Sequence, residues 1–278
     1  MSSPTDNLLF DVPASRTPAE QLLHLAAKYT RHNDALSLFR PTAASAPALD
    51  AHAASAARLT RAALAAVQTV HDQQPYLNPA LVDATVRIKQ LAYLSGEAGR
   101  HLNEAQEAVT GAALADPDLT SLPDSVNLQV QLARELTALA PEAAIASATG
   151  IARETQRRHP TVQTATAGLA TAELAALHAT ALGQVVVTQS QAREYVHSRN
   201  VVVRISTLRS LEAKHLITRD PATAPPAFDS GPPQDRIRLT SDGVTATIGV
   251  LTLPPATAAP TALAVPHAPT ASGPFRAR

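Results

Sequence analysis

The sequence predicts a mainly α-helical protein. It has an N-terminal antiparallel helical hairpin or bundle, a smaller C-terminal unit that mixes short helices with strands, and a Pro/Ala-rich tail. Three observations predict this. Apolar residues recur in steps of three and four along two long stretches between Leu49 and Ala112. From Thr171 the texture changes to short helices and β-branched runs. Beyond Leu253, six prolines lie among Ala and Thr with few large apolar side chains.

The first helix has a clear start. Thr17-Pro18-Ala19-Glu20 places Thr at the N-cap, Pro at the first helical position and Glu three residues on, a capping box. Leu22, Leu23, Leu25 and Ala26 give it an apolar face to about Thr30, and a loop follows from about Arg40 to Pro47. The seam Leu49, Ala53, Ala56, Leu59, Ala63, Ala66, Val70 then reads as one helix. After a break at 71–75 and a second N-terminal signature at Asn78-Pro79, it resumes at Leu81, Ala84, Ile88, Leu91, Ser95, Ala98, Leu102, Ala105, Val109 and Ala112. Such spacing describes one helix facing another. A seam with so much alanine lets backbones approach closely but buries little area per residue. At about 25 cal/mol per Å² it needs further partners, either more helices or a second subunit in a coiled coil. Further helices are expected at about Asp124–Leu139 and Pro141–Arg158.

Composition mostly excludes. The 278 residues include 57 alanines, 22 prolines, 10 glycines, eight aromatics and no Cys or Trp. Without cysteine there is no disulfide, thiolate metal site or Cys nucleophile. No phosphate-cradling glycine loop or nucleophile elbow occurs, so no enzyme and no cofactor is expected. Glu97, His101 and Glu104 lie on one helix flank and read as a surface charge network, with no metal called; His178 and His215 read as packed or partly exposed side chains. No secretory signal or membrane-length apolar run is visible, so a cytoplasmic protein without membrane contact is expected. Arginine outnumbers lysine 20 to 3, which suggests a GC-rich, bacterial genome.

Lys+Arg and Asp+Glu balance at 23 each, yet the balance is uneven along the chain. Residues 1–116 carry nine bases and eleven acids, whereas 183–219 carry six (Arg193, Arg199, Arg204, Arg209, Lys214, Arg219) against Glu194 and Glu212. A local basic face is therefore compatible with a neutral total.

From Thr171 onward, 173–182 reads as a short helix ended by Gly183, and Val185–Val187 and Val201–Val203 favour strands. Residues Ser206–Ile217 form an amphipathic helix with Ser206 at the N-cap and Leu208, Leu211 and Leu216 on one side. Strands 217–219 and 236–240 then pair across a Pro-rich loop. The path between Val185 and Arg204 has two readings: a helix capped near Thr188 with a turn near His197, or a β-hairpin of 185–188 with 195–203.

This order resembles the winged helix-turn-helix family. Leu208-x-x-Leu211-Glu212-Ala213-x-x-Leu216-Ile217 is similar to the end of the recognition helix in MarR-like bacterial regulators, and Leu239-Thr240-x-x-Gly243 to the strand that closes the wing. His215 stands where the family usually has glycine. The resemblance covers about residues 171–250 and leaves 1–170 without a counterpart. It implies sequence-specific binding of double-stranded DNA by a transcriptional regulator or accessory factor acting as a homodimer, for which the helical seam within residues 1–160 offers the surface; the Pro-rich composition of 253–278, with few large apolar groups, reads as a disordered tail. The recognition helix would supply Arg204, Ser206, Thr207, Arg209, Ser210 and Lys214; Arg219, Arg236 and Arg238 would lie on the wing near phosphates or the minor groove. Arg209 is the candidate for a bidentate guanine contact. The alternative is a helical interaction protein whose winged helix docks another protein.

Overall fold

The computed structural model describes residues 16–73, 78–115, 122–160, 166–190, 193–226, 228 and 231–253. The expected tail 253–278 lies, but for Leu253, outside the described residues. Among the described residues the protein is mainly helical, with one small antiparallel sheet.

Helix α1 (Pro18–Leu38) begins with the expected capping box: Thr17 N–H donates to Glu20 Oε2 (2.8 Å) and Glu20 N–H to Thr17 Oγ1 (3.2 Å). It runs past Thr30, where the sequence pattern faded, because its polar residues there are buried by other elements. His32 Nδ1 meets Ser55 Oγ (3.1 Å), and Asp34 meets an arginine of the sheet. Arg134 donates to the carbonyls of Leu36 (2.9 Å) and Phe39 (2.8 Å), satisfying the helix's terminal acceptors.

Helices α2 (Ala46–Gln73) and α3 (Pro79–Ala115) form the antiparallel hairpin. Every predicted seam residue is buried except Ala112, which is half-buried. The one polar seam residue, Ser95, is wholly buried and explained by Tyr29 of α1: the two hydroxyls are 2.6 Å apart, and Ser95 also donates to Leu91 O (2.8 Å). The further partners that an alanine seam requires come from the same chain. Helices α1 and α5 (Ala140–Arg158) cover the end around Leu59–Ile88, and α4 (Asp124–Ala138) covers the end around Ala53–Val109. Glycines in the hairpin are not all needed. A Cβ on Gly99 would sit 3.6 Å from Ala56 Cβ, whereas one on Gly96 meets nothing within 4 Å. Gly96→Ala is therefore expected to stabilise the protein by about 0.5–1 kcal/mol, read as a higher midpoint in urea denaturation.

The C-terminal unit starts with α6 (Thr171–Ala181), followed by strands β1 (Val185–Ser190) and β2 (Arg193–Ser198), helix α7 (Ile205–Ala213), strands β3 (Ile217–Ala224) and β4 (Gln234–Leu239), and α8 (Ser241–Thr252). The sheet order is β2-β1-β4-β3, antiparallel throughout. Between the two readings of 185–204, the structure has the β-hairpin, paired from Val185↔Ser198 to Ser190↔Arg193. Its second strand is earlier than expected, and the valine run 201–203 is not a strand. Val203 is buried in the core while Val202 is 91% exposed, so tertiary packing overrides β-propensity there.

Alternation along the strands divides the sheet's two faces. Val185, Val187, Ile217 and Ile237 pack inward with Leu177, Leu208, Leu211 and Ala246 of the helices. The opposite face, carrying Val186, Arg236 and Arg238, is turned toward α1.

Candidate nucleic-acid interface

Helix α7 is placed by its two fully buried leucines, Leu208 and Leu211. Its N-cap lies two residues earlier than the sequence suggested. Arg204, in extended conformation (φ −89°, ψ 148°), is the N-cap, and no side chain caps the first turn; Ser206 is the second helical residue. At its end His215 takes the left-handed conformation (φ 55°) that favours glycine, and Leu216 N–H donates back to Leu211 O (3.0 Å). The turn is thus kept without glycine, because histidine tolerates this region better than most residues.

The nine candidate residues fall into three groups. Arg204, Ser206 and Arg209 are exposed on the outer side of α7, with Thr207 half-buried beside them. Arg209 keeps 66% of its side chain exposed and donates to Glu194 of β2 (3.0 Å).

Ser210, Lys214 and Arg219 form the second group, and intramolecular carboxylates hold each of them. Ser210 Oγ and Lys214 Nζ both donate to Glu173 Oε1 (2.7 Å each), which ties α7 to α6. Arg219 bridges Glu212 and Glu194, each at 2.5 Å. Three of the six bases of 183–219, Arg209, Lys214 and Arg219, are therefore ion-paired within the molecule. Glu194 is held below its ordinary pKa by its hydrogen bonds from Arg219 and Arg209. Burial pushes Glu173 up, but Lys214, Ser210 and the Ala170 N–H together bring it down to about 2. A carboxylate depressed on folding contributes stability above its ordinary 4.5, lost as the pH falls toward 2. Glu173→Gln is accordingly expected to melt at lower temperature than the parent at neutral pH, and parallel thermal melts should show that gap closing as the pH falls below 4.5.

The third group overturns the expected placement. Arg236 and Arg238 do not line an exposed wing; they are 7% and 9% exposed. Arg236 makes a two-pronged pair with Asp34 of α1 (Nε–Oδ2 2.9 Å) and donates to Gly183 O (2.6 Å). Arg238 donates to Asp220 Oδ2 (2.6 Å) and lies 3.9 Å from Asp34. The face that would be solvated in an isolated sheet is here covered by α1. Leu239-Thr240-x-x-Gly243 is likewise not all strand. Leu239 ends β4, Thr240 caps α8 by accepting from Gly243 N–H (3.0 Å), and Gly243 lies within that helix.

Sequence reasoning missed Glu173 as an anchor and Val202 as an exposed apolar residue beside Arg204; neither has a signal outside the tertiary structure. On α3, Arg100 lies between Glu97 and Glu104, and His101 contacts Gln129, which accounts for that charge cluster by ion pairing. Among the described residues no helix is long and apolar enough to cross a membrane. No family model, characterised protein or solved structure matches the chain.

Proposed function

We propose that residues 171–252 are a winged helix that binds double-stranded DNA, in a protein acting as a dimeric transcriptional regulator or accessory factor. The observation that carries this reading is the element order α6–β1–β2–α7–β3–β4 with α7's first turn exposed between Arg204 and Arg209. The neighbour order β1-β4-β3 also supports it, since a winged helix sets its first strand beside its last. The β2 strand would replace the family's usual second helix. The contact surface is narrower than the sequence implied: Val202, Arg204, Ser206 and Arg209 form it. A recognition helix reads bases with its N-terminal residues, and an uncapped helix N-terminus favours phosphate. Val202 suits a thymine methyl, and Arg209 suits guanine once it exchanges Glu194 for the base.

A gel shift against random-sequence DNA pools at low salt tests the reading, and no shift there would overturn it. Arg204→Ala and Arg209→Ala are each expected to cost about 1–3 kcal/mol of affinity if they contact bases, or to lower the salt slope by about one if they contact phosphate. Docking of a protein instead of DNA predicts neither effect.

A further inference from the structure

A cleft of about 580 Å³ opens on the sheet face opposite α7, between that face and the helices α1 and α5. Its size is within the range of small-molecule sites. The floor is electrically quiet. Arg236 spends its donors on Asp34 and Gly183 O, so the pair neither attracts nor needs a ligand charge.

The walls are different. Three primary amides reach the cleft with hydrogen-bonding capacity to spare. Asn33 uses Nδ2 on Thr137 O (2.9 Å), while its buried Oδ1 has no partner. Among the described residues Gln184 makes two long contacts, 3.4 Å each, to Glu142 and Asn200. Gln234, 4% exposed, commits Nε2 to Thr188 Oγ1 (2.5 Å). A primary amide sets a donor beside an acceptor, the pattern that matches the edge of a nucleobase. Pro225 and Pro226, both half-buried, add flat apolar surface against which a planar ring can lie. At the mouth Arg199 is exposed, and the adjacent Ser198 has a buried hydroxyl without a partner. Arginine with a hydroxyl is a phosphate-binding pair.

We propose that this cleft binds a mononucleotide, its base held by the amides of Asn33, Gln184 and Gln234 and its phosphate by Arg199 and Ser198. This stands independently of what α7 binds.

The test uses the full chain, with AMP, GMP, CMP and UMP examined by calorimetry and thermal shift, and with ribose 5-phosphate and inorganic phosphate as controls. At least one mononucleotide should bind and raise the melting temperature as mass action requires, while the two controls do not at the same concentration. Arg199→Ala, which alters only an exposed side chain, should weaken that nucleotide at least tenfold and leave the corresponding nucleoside nearly unaffected. Asn33→Leu should weaken both at least tenfold. The proposal is overturned if no mononucleotide binds, if ribose 5-phosphate or inorganic phosphate binds equally well, or if Arg199→Ala and Asn33→Leu leave affinity intact. Loss of binding on Arg209→Ala would put the ligand on the α7 face and would also overturn it.

Discussion

Asp34→Ala is expected to destabilise the protein by about 3–5 kcal/mol, because it takes the paired carboxylate away from the buried guanidinium of Arg236. Arg236 and Arg238 are 7% and 9% exposed, and Asp34 is 4% exposed. Burial pushes the Asp34 carboxyl up, and the hydrogen bonds and charge of Arg236 oppose that shift. The pair itself is not the source of the large effect, since desolvating both ions consumes much of their attraction. Breaking it is what costs, because it leaves a largely buried guanidinium without its carboxylate. The loss falls on Arg236, which keeps Gly183 O alone, whereas Arg238 retains Asp220. The double variant Asp34→Leu with Arg236→Met removes both charges together and should recover most of the loss. Urea denaturation of the parent, Asp34→Ala and the double variant checks both expectations. A loss below about 1 kcal/mol for Asp34→Ala would show that the helical region and the sheet are not locked by this contact.

The difference between what was and was not legible in the sequence follows the range of the interactions. The Thr17–Glu20 capping box and the α2–α3 seam depend on residues a few positions apart, and both stand where the spacing puts them. The α4–α5 boundary, at Leu139–Ala140, was equally local and marked by Pro141. Arg236-Ile237-Arg238 was misplaced for the opposite reason. Its alternation reads as a strand with one dry and one wet face, and only a carboxylate 202 positions earlier reveals that the second face is covered. The candidate interface divided in the same way. Exposure of Arg204, Ser206 and Arg209 follows from helical periodicity, but neutralisation of Lys214 and Arg219 depends on Glu173 and Glu212, each seven or more positions away from the base it holds. His215 and the 201–203 valines show local preference yielding to packing. His215 is left-handed in the turn held by the Leu216–Leu211 hydrogen bond, and the valine run leaves the extended sheet with Val203 in the core.

Gly243→Ala is expected to destabilise by about 3 kcal/mol or more, against the usual benefit of alanine in a helix. An added Cβ would sit 1.8 Å from Leu216 O and 2.9 Å from its carbonyl carbon, and both are backbone atoms that no rotamer change can remove. That backbone is itself fixed. Leu216 N–H bonds Leu211 O (3.0 Å), Leu216 O accepts from Thr240 N–H (3.1 Å), and Thr240 Oγ1 donates to His215 O (2.6 Å). Relief of the overlap must therefore either part α8 from the turn or open the left-handed turn that ends α7. Both routes loosen the helix proposed to enter the major groove. The variant should lose DNA affinity even in its folded fraction, whereas Gly96→Ala, with nothing within 4 Å of its new Cβ, should gain stability and keep affinity. Denaturation midpoints and gel shifts on the two variants side by side check this. If Gly243→Ala falls within about 1 kcal/mol of the parent, the α8–Leu216 contact is looser than the geometry requires, and the rigid seating of α7 argued from it fails.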